Sequence, residues 1–231
     1  MANNRSKLER IVAARTKLME RHRSAMQDTP SLSDGEPLGS GVPNAHGMPK
    51  LPVGQYETKS WPVLDLGILP EVTRADWRLV IDGEVEHPLE LDFEELLQLP
   101  QTEDVSDFHC VTKWSKFDMS WVGVALADAL AEANLKESAT HLMCHGYDGY
   151  TTNVSLAEAL KLDVLLVHTY DGQPLPSEHG GPVRMITPQL YAWKGTKWIQ
   201  RIEVMNQDRP GFWEERGYSM TAHPWRDDRY S

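Results

Sequence analysis

The N-terminal stretch carries apolar residues at helical spacing. Leu8, Ile11, Val12, Leu18 and Met19 recur among charges, which predicts an amphipathic helix over residues 5–26. Residues 29–54 lose that periodicity and are crowded with Pro, Gly and Ser. Such a composition predicts a linker or an extended arm draped over the body. From Trp61 onward short runs follow one another. WRLVIDGEVEHPLEL (77–91) predicts two strands joined by an Asp82-Gly83 turn. LDFEELLQLP (91–100) predicts a short helix stopped by Pro100. VSDFHCV (105–111) predicts a strand, and VGVALADALAEANL (122–135) a helix with Val124, Leu126, Ala127, Leu130 and Ala131 turned inward. THLMCHGYDGYTTNVS (140–155) predicts strand, turn and strand, and LAEALKL (156–162) a helix. VLLVHTY (164–170) and GPVRMITP (181–188) predict strands, and TKWIQRIEVM (196–205) alternates as a strand pair would. Helices are short, hairpins are many, and strand and helix do not alternate regularly. The expected class is α+β with mixed sheets.

Composition narrows the function. The 231 residues suffice for a sizeable core, and hydrophobic residues make up 40%. A net charge of −11 repels phosphate backbones and argues against nucleic acid as the main partner. Charge is uneven: residues 1–28 carry seven Lys/Arg against Glu9, Glu20 and Asp28, a local balance of +4. The basic helix lacks the Trp or Phe of a membrane-surface anchor, so it is expected to pack on its own acidic body or on a neighbouring subunit. No run approaches the length of a membrane span, and the first residues show no apolar leader. Two cysteines, Cys110 and Cys144, are too few for a disulfide scaffold. A cytoplasmic setting is expected.

Two clusters carry chemistry. His109-Cys110 and Cys144-His145 each pair a soft ligand with an imidazole, but neighbours on a strand point to opposite faces, which disfavours zinc. Cys144 sits in an apolar strand and reads as an inert buried thiol. Cys110 runs into VTKWSK, where Lys113 and Lys116 raise the local potential and favour the thiolate, the form that binds soft metals or attacks carbon. The second cluster spans 179–198. His179, two glycines, Arg184, then Lys194-Gly195-Thr196-Lys197 combine cations with free backbone amides, a phosphate-binding surface or a set of surface salt bridges. No Walker or Rossmann fingerprint accompanies it.

A thiolate candidate followed by a phosphate site suggests a family. FHCVTKWS (108–115) resembles the F-x-C-V-x-x-W-S segment of the sulfite-oxidase superfamily of molybdopterin proteins. SWVGVALADAL (120–130), LPSEHGGPVRMITPQLYAWKGTKWIQRI (175–202), PGFWEERGYSMTAHPWRDDRY (210–230) and LPVGQYETKSWPVL (51–64) are similar to family motifs in the same order. The likeness covers residues 51–231, which divides the chain into a basic helix and arm (1–50) and one oxidoreductase domain (51–231). It implies the α+β molybdopterin-binding fold with mixed sheets and a mononuclear molybdenum centre on one molybdopterin. Cys110 carries over as the metal ligand, and His109 is its neighbour in the motif. Arg184, Lys197, Gly195 and Thr196 match positions around the pterin phosphate, and His179 a position against the pterin. His145 and Gly146 match a cofactor-facing strand, and Thr58, Ser60 and Trp61 the entry segment.

The departures bear on the substrate. Sulfite oxidases place an arginine pair four and five residues after the ligand Cys, where this chain has Trp114 and Ser115. The likeness stops with the molybdopterin domain, and neither the family's C-terminal immunoglobulin-like domain nor a haem domain is expected. The resemblance thus implies an oxidoreductase that moves an oxygen atom to or from a small molecule. A neutral S-oxide or N-oxide is expected ahead of sulfite, with Trp114 walling the reacting site and a separate partner carrying electrons. A non-catalytic molybdopterin-binding module and a Cys-dependent hydrolase with His109 or His145 as base are the competing readings.

Overall fold

The computed structural model describes residues 8–17, 20 and 36–231. The remainder of the helix expected over 5–26, and residues 29–35 of the expected arm, lie outside the described residues. In chain order the elements begin with α1 (residues 8–17), β1 (Gly39–Pro43), β2 (Pro49–Pro52), β3 (Tyr56–Glu57), β4 (Arg78–Gly83) and β5 (Leu89–Asp92). Then come α2 (Phe93–Gln98), β6 (Gln101–His109), β7 (Trp114–Ala125), α3 (Leu126–Ala133), β8 (His141–Gly146), β9 (Thr151–Ser155) and α4 (Leu156–Ala159). The last strands are β10 (Leu165–Tyr170), β11 (Gln173–Pro174), β12 (Arg184–Ile186) and β13 (Ile199–Met205).

Two sheets organise the body. In the six-stranded one, the long β7 pairs antiparallel with β6 and β10 and parallel with β3, while β11 and β12 add to β10. The five-stranded one runs β5-β4-β13-β8-β9, with β13 parallel to β4 and antiparallel to β8. Both are mixed, as the α+β expectation requires. A separate hairpin, β1–β2, occupies part of the expected arm, and Leu38 N–H bonds to the carbonyl of Trp225 near the other end of the chain.

Local chemistry explains most elements. Asp92 caps α2, accepting from Glu95 N–H while the Glu95 carboxylate accepts from Asp92 N–H. Asn134 ends α3 in the left-handed region. Three expectations are corrected. Residues 122–125, assigned to a helix, are the end of β7; they are sandwiched between β6 and β10, and sheet pairing overrides their helical pattern. Gly123 is needed there because a Cβ would lie 2.3 Å from the Leu166 carbonyl oxygen. Asp82-Gly83 is not a turn: β4 runs through Gly83, whose φ of +91° and missing Cβ let it lie against the Val204 backbone. Finally, 196–205 holds one strand, β13, because its alternation reflects two faces of a central strand rather than two strands.

The main core lies between the two sheets and helices α2 and α3, and contains Trp77, Leu79, Leu130, Leu142, Cys144 and Ile202. A second cluster is aromatic. Trp114, Tyr150, Tyr191, Trp193, Trp213 and Tyr218 surround Cys110, and Leu8, Ile11 and Val12 of α1 pack on it. That cluster positions the site.

Candidate active site

Cys110 heads the turn that joins β6 to β7. Its carbonyl accepts from Lys113 N–H and its N–H donates to the Trp114 carbonyl, and Lys113 closes the turn at φ 77°. From outside, Gln55 Nε2 donates to the Cys110 carbonyl and the buried Arg229 donates to the Val111 carbonyl. The turn is thus clamped by two distant segments. Its thiol is buried, 3.0 Å from the Thr112 hydroxyl, and opens into a cavity enclosing about 790 Å³ including its mouth to solvent.

The two ends of that cavity differ. Around Cys110 the walls are Val111, Trp114, Trp193, Trp213 and Tyr218. At the other end are His179, Arg184, Gly195 and Lys197, with Asp65 and Asp148 nearby. Trp61 stacks flat on His179, ring centroids 3.6 Å apart, and anchors the entry segment there.

Charge is unusual at the second end. Arg184 is 3% exposed and donates only to backbone carbonyls, those of His179, Gly195 and Met185. It forms no ion pair among the described residues, and burial pulls its pKa down to about 9. Lys197 donates to the Glu178 carbonyl; burial and then the Arg184 charge lower its pKa to about 8. Burial and Arg184 likewise hold His179 at about 4. Thr196, between two lining residues, has a buried hydroxyl without a hydrogen-bond partner. A buried cation is costly without an opposite charge, so this end is built for an anion.

The remaining residues singled out from sequence are spread more widely. Trp114 is buried, stacks on Phe108 and lines the cavity. His109 points away from Cys110, as strand alternation demands; its Nδ1 meets Ser115 Oγ at 2.8 Å, and it lines a second, much smaller cavity. Burial lowers its pKa to about 3, so it is neutral. His145 is not brought to the cavity: it faces Arg201 and Glu203 on the five-stranded sheet. Gly146 lies behind the cavity wall, where a Cβ would sit 2.7 Å from the Lys197 carbonyl oxygen. Thr58 and Ser60 bond to each other, 3.0 Å apart, and do not line the cavity.

Two sequence expectations about charge change. Lys194 is not a phosphate cation, because its ammonium is fully buried against Asn153 Oδ1 and Glu214 Oε1. Burial raises the Cys110 pKa, and the charges opposing that rise are Arg15 and Arg229 rather than Lys113 and Lys116. Sequence reasoning missed both arginines. Arg229 lies in the quoted C-terminal motif, and Arg15 stands one turn beyond Ile11 and Val12 on the apolar stripe of α1. A charge on that stripe was the available signal.

Residues 66–213 match the family model described as oxidoreductase molybdopterin binding domain, and the chain belongs to that family. It is a molybdopterin-dependent oxidoreductase of the sulfite-oxidase-like group, with molybdenum-molybdopterin as its cofactor. It is 40% identical to an uncharacterized oxidoreductase, YuiH, of Bacillus subtilis (strain 168) over 185 residues, 79% of this chain and 92% of that one. It is 32% identical to the protein-methionine-sulfoxide reductase catalytic subunit MsrP of Gluconobacter oxydans (strain 621H) over 174 residues, 65% of this chain and 55% of that protein. The sulfane dehydrogenase SoxCD from Paracoccus pantotrophus shares its fold at a TM-score of 0.56 and 27% identity, over 60% of this chain and 40% of that one. The chain therefore spans nearly all of one relative and about half of the second.

The cavity fits such a cofactor. One soft thiol stands at one end and an uncompensated guanidinium, an ammonium and an unpartnered hydroxyl at the other, as a metal-bearing head and a phosphate-bearing tail require.

Proposed function

We propose that the protein transfers an oxygen atom between a small neutral S-oxide or N-oxide and a molybdenum centre held by Cys110. When bound, the cofactor supplies a metal that changes oxidation state as it gains or loses an oxo group. Arg184 and Lys197, with Gly195 and Thr196, hold the phosphate, and Trp61 and His179 form the adjoining wall. The Thr112 hydroxyl lies 3.0 Å from the Cys110 sulfur, and as donor to a thiolate there it opposes the rise that burial imposes on the thiol's pKa. Trp114, Trp193 and Trp213 exclude water from the reacting end.

One observation carries the substrate preference. Trp114 turns its indole to the cavity wall, and the Ser115 hydroxyl is fully buried on His109, so this segment presents no anion-binding pair. An indole wall suits a neutral thioether-sized group better than a tetrahedral anion. The methionine-sulfoxide reductase among the relatives accords with that preference. Electrons come from a separate carrier protein. Among the described residues no helix is long and apolar enough to cross a membrane, and we place the enzyme in the cytoplasm.

The test is steady-state turnover of molybdenum-loaded protein with sulfite and ferricyanide against dialkyl sulfoxides and reduced viologen. Sulfoxide reduction at a rate ordinary for enzymes, about 10 per second, with weak or absent sulfite oxidation is expected. Sulfite turnover without sulfoxide reduction would overturn the assignment.

A further inference from the structure

Helix α1 lies outside the matched family region, yet it reaches the site. Leu8, Ile11, Val12 and Arg15 are its half-buried face, while Glu9, Arg10, Ala13, Ala14 and Lys17 are exposed. The three apolar residues pack on the aromatic cluster around Cys110. One turn further, Arg15 lines the same cavity as Cys110 and Trp114, its guanidinium 6.0 Å from the Trp213 ring centre.

Arg15 lies beside Tyr218, where its guanidinium opposes, by charge and a side-chain hydrogen bond, the rise that burial imposes on the phenol's pKa, but it has no anionic partner among the described residues. Its Nη1 is buried and makes no hydrogen bond, and Arg15 forms no ion pair among the described residues. The Tyr218 hydroxyl lines the same cavity and is also buried, with Arg15 as a neighbour but no hydrogen bond of good geometry. Two donors left unsatisfied in an aromatic enclosure carry a free-energy cost that an oxygen acceptor would remove. The metal-binding thiol lies in the same enclosure, and the cofactor's phosphate end is served separately by Arg184 and Lys197.

We propose that Arg15 is a substrate-binding residue: carried in by α1, its guanidinium takes the oxygen of the substrate beside Cys110, with the Tyr218 hydroxyl as second donor. This rests on the oxygen-transfer reading above. A single guanidinium at a neutral wall grips a polar S–O or N–O oxygen without creating the paired site that a sulfur oxyanion requires. The helix also covers the aromatic end, so substrate binding and closure belong to one element.

The experiment has an arm that needs neither cofactor nor S-oxide. In metal-free protein, Cys110 is alkylated by anionic iodoacetate or neutral iodoacetamide and followed by peptide mass spectrometry; Cys144, fully buried, serves as an internal check on folding. Arg15→Ala should lower the iodoacetate-to-iodoacetamide rate ratio by about tenfold, the scale of one charge across a partly wet site. Arg15→Lys should retain the ratio, and Lys17→Ala, the same loss of charge on the exposed face, should leave it unchanged. In loaded enzyme, Arg15→Ala should raise KM for a sulfoxide about ten- to a hundredfold at unchanged molybdenum content, with a smaller effect on kcat. An unchanged ratio overturns the placement of Arg15, and an unchanged KM in a sulfoxide-reducing enzyme overturns its contact with substrate. A parent enzyme inert toward sulfoxides, with a ratio that still falls in Arg15→Ala, overturns the S-oxide reading and supports Arg15 as an oxyanion-binding group.

Discussion

Arg184 and Lys194 are both buried cations in one stretch of chain, and only one of them has a counter-charge. Lys194 donates to Glu214 Oε1 at 2.7 Å and Asn153 Oδ1 at 2.6 Å; the same carboxylate oxygen accepts from Thr152 and from the Trp193 indole. Arg184 meets carbonyl dipoles and the faces of Trp61 and Phe108, but no carboxylate among the described residues. The chain has 34 Asp and Glu, so carboxylates are not scarce. A cation satisfied within the chain fastens the fold, and one left open at a cavity awaits an anion from outside. The two cysteines repeat the contrast. Cys144 is sealed in the core against the Met185 sulfur, whereas Cys110 opens into a cavity lined by Arg15 and Trp114.

Breaking the cysteine contrast should have the largest effect. Cys110→Ala removes the only cavity-lining thiol among the described residues and should abolish molybdenum-centred turnover in folded protein. Cys144→Ala leaves a small cavity, costs about 1–2 kcal/mol, and should retain most activity. Turnover with matched molybdenum content, alongside thermal melts, checks both; equal losses would erase the distinction.

The cation pair sharpens the point. Lys194→Met leaves the Glu214 carboxylate buried without its charge partner, and should destabilise the protein by about 3–5 kcal/mol with or without cofactor. Arg184→Met should behave oppositely. Metal-free protein should be as stable as the parent or more so, because an uncompensated buried charge is gone, while molybdopterin affinity falls about ten- to a hundredfold. Chemical denaturation of the metal-free proteins and molybdenum retention after gel filtration separate the two. Parallel behaviour of the variants would mean that Arg184 is also part of the scaffold.

Legibility in the sequence followed the range of the interactions. The 140–155 hairpin was readable because its signals are local, turn residues between two strand runs, and short motifs singled out Arg184 and Lys197, which both line the cavity; the strand expected over 105–111 stops at His109 and leaves Cys110 and Val111 in the turn to β7. Residues 122–125 misled because their strand character comes from β6 and β10 on either side, not from their own pattern. Gly83 misled for the same reason, since its left-handed backbone serves a close approach to Val204 rather than a turn. The cations near Cys110 were misjudged because sequence neighbours were taken for spatial ones. Lys113 and Lys116 adjoin the thiol along the chain, but Arg15 and Arg229 adjoin it in space. His145 shows the converse, a cofactor-strand position whose side chain faces Arg201 instead.

The smallest expected effect concerns Lys197, which at about 8 loses its charge on raising the pH before Arg184, at about 9, loses its own. Burial and the neighbouring guanidinium lower its pKa from 10.5 to about 8 in the metal-free fold. The folded value lies below the unfolded one, so between about pH 8 and 10.5 the unfolded chain binds the extra proton. Metal-free stability should therefore rise with pH across that window, and below pH 8 the cost of holding the charged ammonium is fully present. Cofactor binding runs the other way. A phosphate binds the protonated ammonium, so affinity should be level from about pH 6.5 to 7.5 and then weaken by up to about tenfold per pH unit, the slope of one proton. His179, held at about 4, is neutral throughout and contributes no such slope. Lys197→Arg keeps its charge and should flatten the curve. Molybdenum retention after gel filtration across that pH range reads the slope directly. An equal decline in Lys197→Arg would assign it to another group and leave Arg184 as the sole cation on the phosphate.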